Sequence, residues 1–294
     1  MKKALTLILA VIMMFPLTSC NLYKYLSNRT YTIHFNANGG EGEMDDFLVE
    51  SGAEGYIPNC TFTKEGYECV AWGLDPDGKK IATHLANMTL TLPISVKNGG
   101  TIQLYAIWTT PGFEFKYNGI GFFHSVSIEH YFGNANHVIV PTWFQGSIGS
   151  GHGSCSVDSF SSGVFKGHTE IESIKNIPLN LSKDLFNGCT SLETIKTRGS
   201  IISIGDRAFY NCSKLQNLNL AKNLNSIGEE AFYMCTSIER LVIPATLDEL
   251  GDKAFYGWTE NQVIEFTKYA ENPFGKKAFK GCNATIIWSG KLEK

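Results

Sequence analysis

The chain has 294 residues, 43% of them hydrophobic and 18% charged, with a formal net charge of −3. That balance excludes bulk disorder and a long basic face for nucleic acid, and 29 glycines with 19 phenylalanines and 12 tyrosines favour strands and turns over helical bundles. The eight cysteines contain no Cys-x-x-Cys pair, which argues against zinc ribbons and thioredoxin-type redox chemistry and leaves most of them as packing residues.

Met1-Lys2-Lys3 is a short positive segment before an apolar run from Ala4 to Leu17, broken by Thr6 and Pro16 and too short to span a bilayer comfortably. Residues 1–19 read as an export signal, and loss of Lys2 and Lys3 with it leaves 23 basic residues against 28 acidic ones. Leu17-Thr18-Ser19-Cys20 resembles the bacterial lipobox, which implies that Cys20 is acylated and becomes the new N-terminus. One acyl chain binds a membrane marginally, whereas two or more make a stable anchor. Asn21 stands where an Asp would imply retention at the inner membrane, so the resemblance implies the outer surface. Residues 20–30 are a short polar tether. The alternatives are an uncleaved anchor or a signal cut elsewhere.

Residues 31–109 open with Tyr31-Thr32-Ile33-His34-Phe35, a period-two strand running into the turn signal Asn36-Ala37-Asn38-Gly39-Gly40. Phe62-Thr63-Lys64-Glu65-Gly66-Tyr67 leads to Val70-Ala71-Trp72, and a second alternating strand runs from Ile102 to Trp108. This set resembles the Listeria-Bacteroides repeat, also called the internalin B-repeat. The resemblance implies a small β-grasp-like module that acts as a spacer or interaction unit, with no catalytic residues. The longer polar stretch Val96-Lys97-Asn98-Gly99-Gly100 departs from the pattern. Asp75-Pro76-Asp77-Gly78-Lys79 begins like a calcium loop, but Ala86 occupies the place of the bidentate Glu, so the stretch reads as a turn. Cys60 and Cys69 either pair in an exported chain or stay as buried thiols, and their spacing does not decide between the two.

Further along, Phe165, Phe186, Phe209, Phe232, Phe255 and Phe279 fall at separations of 21, 23, 23, 23 and 24, the mark of a solenoid with one coil per repeat. Three residues after each stand His168, Cys189, Cys212, Cys235, Trp258 and Cys282, a column whose spacing is architectural. Ala208, Phe209 and Cys212 share one face of a short helical turn, and Leu218 with Leu220, like Leu241 with Ile243, share one side of a short strand. Ile204, Ile227 and Leu250 return the chain to the core. The signature Ile-Gly-x-x-Ala-Phe-x-x-Cys-x-x-Leu-x-x-Leu-x-Leu, at Ile204 to Leu220 and Ile227 to Ile243, resembles the BspA-like leucine-rich repeats of bacterial surface proteins. Residues 165–290 are assigned to these repeats, with Asn261, Thr285 and Trp288 replacing leucines in the last coils. Residues 112–164 are assigned to an N-terminal cap that contains a repeat-like strand, Val138-Ile139-Val140-Pro141, and a Gly/Ser-rich loop from Gly146 to Ser156. Six strands stacked at about 4.8 Å would give a sheet about 25 to 30 Å long.

No constellation for chemistry emerges. His124, His130, His137, His152 and His168 cluster in sequence, but no His-x-x-x-His occurs, and on a strand His124 and His130 would stand about 20 Å apart. Gly149 to Gly153 lacks the Lys-Ser/Thr of a phosphate loop and reads as a flexible loop. No catalytic residue, metal, cofactor or small-molecule substrate is therefore assigned. The sequence describes a mainly β protein, a β-grasp-like module followed by a leucine-rich-repeat solenoid with short helical turns. Both resemblances imply a lipid-anchored adhesin of the bacterial envelope that binds an extracellular protein or glycan. The outward strand positions Gln216, Asn217, Asn219, Glu239, Arg240 and Val242 are the expected contacts. The alternative is a structural envelope spacer with no external ligand.

Overall fold

The computed structural model describes residues 30–50, 57–77, 81–84, 98–117, 126–148, 151–220 and 222–289; the expected leader, Cys20 and most of the tether lie outside them, as does His124. The described residues contain no α-helix and divide into two compact units, one ending at Trp108 and the other beginning at Thr109.

The first unit is a five-stranded sheet of β1 (Thr30–Asn36), β2 (Phe47–Glu50), β3 (Glu68–Gly73), β4 (Ile81–His84) and β5 (Thr101–Thr109), in the order β2-β1-β5-β3-β4. β1 and β5 run parallel at its centre, with Ile33 opposite Ile102 and Phe35 opposite Leu104. Period-two alternation buries Tyr31, Ile33 and Phe35 with Ile102, Leu104 and Ala106, and leaves His34 and Gln103 exposed. Trp72 fills the core beside Phe35, ring centres 4.8 Å apart, and its Nε1–H donates to the Pro58 carbonyl at 3.4 Å. The turn after β1 puts Asn38 and Gly39 in the left-handed region, φ 49° and 80°. Gly40 has no room for a side chain, because a Cβ would lie 2.4 Å from the Trp108 ring and 2.8 Å from the Thr63 carbonyl. Trp108 locks the same turn by donating from Nε1 to Ala37 O at 2.9 Å. The Asn38 side-chain amide donates to Pro76 O at 2.8 Å and Ala106 O at 3.0 Å, which ties the Pro76–Asp77 turn to the sheet.

The second unit begins with β6 (Phe113–Tyr117), β7 (Val126–Tyr131), β8 (His137–Ile139), β9 (Trp143–Ile148) and β10 (Gly151–Phe160). Four of these form a sheet in the order β6-β7-β10-β9. The Gly/Ser-rich stretch expected to be a loop is instead a strand pair: β9 and β10 run antiparallel with Gly146 opposite Gly153 and Ile148 opposite Gly151. Cross-strand hydrogen bonds offset the weak strand propensity of glycine and serine. Arg198 fastens this region to the repeats, donating from Nε to Asn176 O at 2.9 Å, from Nη2 to Pro141 O at 3.4 Å, and from Nη1 to Val157 O.

The repeats supply β11 (Ser173–Ile177), β12 (Asn180–Leu181), β13 (Thr194–Thr197), β14 (Ser203–Ile204), β15 (Ser226–Ile227), β16 (Arg240–Ile243), β17 (Glu249–Leu250), β18 (Val263–Phe266) and β19 (Thr285–Trp288). All their pairings are parallel between successive coils, with one register shift, in β11 between Lys175 and Ile177 where it pairs with β13. The two-residue strands form one ladder, β12-β14-β15-β17, which carries Leu181, Ile204, Ile227 and Leu250 along the core. A continuous sheet of six strands is not formed. β8, β11 and β13 make one three-stranded sheet and β16, β18 and β19 another; on this face the coil between them forms no strand among the described residues and meets its predecessor through an isolated bridge from Asn217 to Thr194 and the bond from Gln216 N to Glu193 O. That coil reads Asn217-Leu218-Asn219-Leu220 and has no β-branched or aromatic residue, whereas every strand of the two sheets has at least one.

The segments expected to be short helical turns are overlapping β-turns. Ala208, Tyr210 and Cys212 donate back to Gly205, Arg207 and Phe209 at 3.1 to 3.2 Å, while Arg207, Phe209 and Asn211 donate to Glu229, Ala231 and Tyr233 of the next coil at 2.7 to 2.9 Å. Every second N–H is thus claimed by a neighbour, so an i to i−4 helical ladder cannot close, and Arg207 and Asn211 adopt left-handed φ of 54° and 57°. The inward face is as the spacing requires: Ala208, Phe209 and Cys212 are fully buried.

Along the core the six phenylalanine rings form one stack, with neighbouring centres 5.5, 5.5, 5.4, 5.7 and 6.2 Å apart and ring planes within 19° of parallel. Burying each ring contributes about 1.5 to 3 kcal/mol, and no coil encloses its own ring. Replacement of the central Phe232 by Ala is expected to cost about 3 to 5 kcal/mol, because it removes contacts to both neighbouring rings. Hydrogen exchange should show protection lost across several coils together; loss confined to Ala231–Cys235 would contradict a collectively stabilised stack.

Candidate interaction surface

The outer face of the repeat sheet is set by strand alternation. In β16 Leu241 and Ile243 point into the core and Arg240 and Val242 stand exposed; Ile264 and Phe266 of β18 are buried in the same register. Across the sheet the outward rows are therefore Arg240, Val263, Thr285 and Val242, Glu265, Ile287. The charged pair is diagonal, Arg240 Nη2 to Glu265 Oε2 at 2.5 Å, and Ser289 Oγ donates to the other Glu265 oxygen at 2.9 Å. Both contacts hold the Glu265 carboxyl below its ordinary range, the Arg240 bond first and the Ser289 bond second. Val242 and Ile287 leave 44% and 38% of their surface in solvent on either side of it, so the face alternates apolar shoulders with a fixed ion pair.

Next to this face, where the sheet is interrupted, lies an open cavity of about 630 Å3 lined by Gln216, Asn217, Thr236, Ser237, Glu239, Arg240, Asn261 and Gln262. It follows from one missing rung. Glu172 donates to Asn136 O, Glu193 to Glu172 O, Gln216 to Glu193 O, Val263 to Glu239 O and Thr285 to Gln262 O; among the described residues no such bond joins Glu239 to Gln216. The ring stack does not break there, since Phe209 and Phe232 are 5.4 Å apart. Opening is thus confined to the sheet side.

The cavity brings together Gln216, Asn217, Glu239 and Arg240 from the expected contacts. Asn219 and Val242 are exposed but do not line it. Sequence reasoning missed Thr236, Ser237 and the floor residue Gln262. Gln262 is 2% exposed; its side-chain amide donates to Cys235 O at 3.0 Å and Ile238 O at 2.9 Å, and its oxygen accepts from Thr259 N at 3.0 Å. In this coil Asn261 holds the numerical place of the leucine but is exposed, and Gln262 enters the core in its stead. The signal available was the extra residue between Phe255 and Phe279.

The columns beside the phenylalanines are structural. The Cys189, Cys212 and Cys235 thiols donate to the carbonyls of Phe165, Phe186 and Phe209 at 2.9 to 3.1 Å, and Trp258 Nε1–H to Phe232 O at 2.9 Å. Burial pushes Cys189 up to about 12, well away from the thiolate that metal binding needs. His168 occupies the same column, with Nε2 on Tyr131 O and Nδ1 on Glu170. His137 contacts Ser173 and His130 lies beside the Phe132 ring, so the described histidines diverge. Among the described residues no three His, Cys, Asp or Glu side chains are placed to hold a metal ion. Tyr210, Tyr233 and Tyr256 stack on one another at 4.4 and 4.5 Å and are half-buried, so each ring face is covered by its neighbour.

Residues 158–285 match the family model of the BspA type leucine rich repeat region, in six copies, and residues 31–107 match that of the Listeria-Bacteroides repeat domain. Among solved structures, a leucine rich repeat protein of T. pallidum is 21% identical, with a TM-score of 0.46 over 59% of this chain and 78% of that one. A leucine rich cell surface protein of Faecalibacterium prausnitzii is 21% identical, with a TM-score of 0.48 over 62% and 54%, respectively. A leucine-rich repeat protein of Bacteroides ovatus is 22% identical, with a TM-score of 0.42 over 52% and 45%. The match thus spans about half the length of the last two. None of the curated proteins matches the chain.

Because the folded state lowers the Glu265 pKa, its contribution is present above the unfolded value and is lost as pH falls through the folded one. The Glu265 carboxyl should titrate in NMR below the ordinary glutamate range, near 4.3 in model peptides. Arg240→Ala should move the midpoint back upward; an unmoved midpoint would show that the ion pair is not formed in solution.

Proposed function

We propose that this chain, in which a Listeria-Bacteroides repeat domain precedes a BspA-type leucine-rich repeat region, is a lipid-anchored surface protein that binds an extracellular macromolecule on the outer face of its repeats. The observation that carries this reading is the cavity at the interrupted sheet, where four side chains chosen for their outward strand positions meet at one opening. Its lining offers amide, hydroxyl, carboxylate and guanidinium groups, and the sheet beside it exposes the apolar Val242 and Ile287. That mixture of a polar recess and scattered apolar contacts suits a protein surface. A glycan fits less well, since no aromatic ring lines the cavity to stack on a sugar face.

The remaining parts take supporting roles in this reading. The acylated Cys20 holds the protein on the membrane at the outer surface of the envelope, and the first unit acts as a β-grasp-like spacer. Its parallel central pair, β1 and β5, with β2 antiparallel outside it, supports that assignment. The mechanism is adhesion without covalent chemistry, and no cofactor is required.

Two experiments test the reading. Cys20→Ala should move the protein from the membrane fraction to the soluble fraction after export; retention on the membrane would remove the lipid anchor from the account. Reversal of both charges, Glu239→Arg with Arg240→Glu, should lower attachment of whole cells to extracellular protein about tenfold or more, the range of losing central polar contacts in an interface. Unchanged attachment by a variant that remains folded in circular dichroism would favour the structural spacer instead.

A further inference from the structure

Beyond the repeat face, the first unit carries a second chemistry. Cys60 and Cys69 both pack, half-buried, against the core that contains Phe62, Trp72 and Trp108, and both line one open cavity of about 550 Å3. The Cys69 thiol donates to Ala71 O at 3.7 Å, and the two thiols stand close enough for each to perturb the other's ionisation. The segment between them is fixed by its own contacts. Thr63 bridges to Glu41, and Tyr67 N donates to Lys64 O at 3.0 Å, while just ahead of Cys60 the Pro58 carbonyl accepts from Trp72. We propose that Cys60 and Cys69 are a disulfide-forming pair, oxidised by an exported thiol–disulfide donor, that clasps the Phe62–Tyr67 segment onto β3. Most of the loop-closure entropy is already spent in the folded unit, so forming the bond requires little further ordering.

The contrast with the repeat column marks the pair out. Cys189, Cys212 and Cys235 are fully buried, and each is committed to a phenylalanine carbonyl. Cys60 and Cys69 face an open cavity and contact each other. Exchange begins when one thiol of the pair, such as Cys60, gives up its proton to solvent. Its thiolate attacks one sulfur of the donor disulfide, and half of the donor departs as a thiol. Cys69 then loses its proton and attacks Cys60 Sγ, which forms the internal S–S bond and releases the second half as a thiol. Two protein thiols are oxidised and one disulfide is reduced to two thiols, so electrons and protons balance. The chemistry is independent of what the repeat face binds; the export reading supplies only the oxidising compartment.

The test uses the purified full chain, incubated folded with oxidised glutathione, alkylated under denaturing conditions and cut with trypsin. Cleavage after Lys64 separates the two cysteines, so their peptides can remain together only through sulfur. The expected result is a linked pair two hydrogens lighter than the sum of its peptides, with Cys189, Cys212 and Cys235 alkylated. The linked species should disappear on reduction, and in Cys60→Ser, where Cys69 should carry glutathione or alkyl label. Recovery of the Cys60 and Cys69 peptides separately, alkylated or each carrying a lasting glutathione, would overturn the proposal. So would a linked product in which either cysteine is joined to a column cysteine.

Discussion

The repeat unit depends on the distance between successive coils, fixed by backbone hydrogen bonds of 2.7 to 3.0 Å that run from one turn to the next through Arg207, Phe209, Asn211 and their equivalents. At that spacing, about 4.8 Å between hydrogen-bonded strands, aromatic rings at one position of every coil must stack. It also leaves no space where two backbones approach. A Cβ on Gly205, Gly228 or Gly251 would lie 2.7, 2.5 or 2.3 Å from a backbone nitrogen of the preceding coil. The Ile-Gly step of the repeat is thus a consequence of proximity, and the buried Ile before it anchors the short return ladder. The column thiol answers the same constraint, as a small apolar group that can still donate to a phenylalanine carbonyl one coil away.

Much of this was legible in the sequence because a one-coil period repeats every constraint. The phenylalanine separations place the stack, and the column three residues later places the thiols. The alternating strands of the first unit were equally readable from Tyr31-Thr32-Ile33-His34-Phe35. Two features were not. A run such as Ala208-Phe209-Tyr210-Asn211-Cys212 has helical spacing, yet the competing acceptors lie in a different coil that no local pattern reveals. Gly146 to Ser156 has loop composition, yet its described residues pair as two antiparallel strands, because cross-strand hydrogen bonding outweighs weak intrinsic preference.

The candidate surface marks a different limit. Choosing Gln216, Asn217, Glu239 and Arg240 required only the spacing of the core positions of the repeat, between which they stand. That they share one cavity depends on the absence of a hydrogen-bond rung, and the cause is a composition difference of a few residues. Asn217-Leu218-Asn219-Leu220 has the right apolar positions but lacks the β-branched side chains that stiffen its neighbours. The stack beneath keeps the coils together without help from the sheet, so this coil can depart from the ladder and expose polar side chains without exposing the core.

A similar division of labour explains the left-handed residues. Asp184, Arg207, Glu230 and Lys253, each two positions before a column phenylalanine, have φ of 57°, 54°, 54° and 53°, a conformation that costs non-glycine residues about 1 to 2 kcal/mol. Their charges alternate in sign along the stack. Arg207 meets Asp184 at 3.0 Å with a second bond at 3.3 Å, and Lys253 meets Glu230 at 3.1 Å. Asp184, the most buried of the four, also accepts from Asn187 at 2.7 Å, and these bonds outweigh its desolvation and lower its pKa. With the Arg207 and Lys253 side chains still about a third in solvent, these pairs are screened and offset only part of the strain. The rest is carried by the rings, whose burial requires each turn to bend there. Glycine at the equivalent position, as at Gly163, would remove the strain but also the side chain, and with it the alternating charges that keep like charges from facing one another between coils.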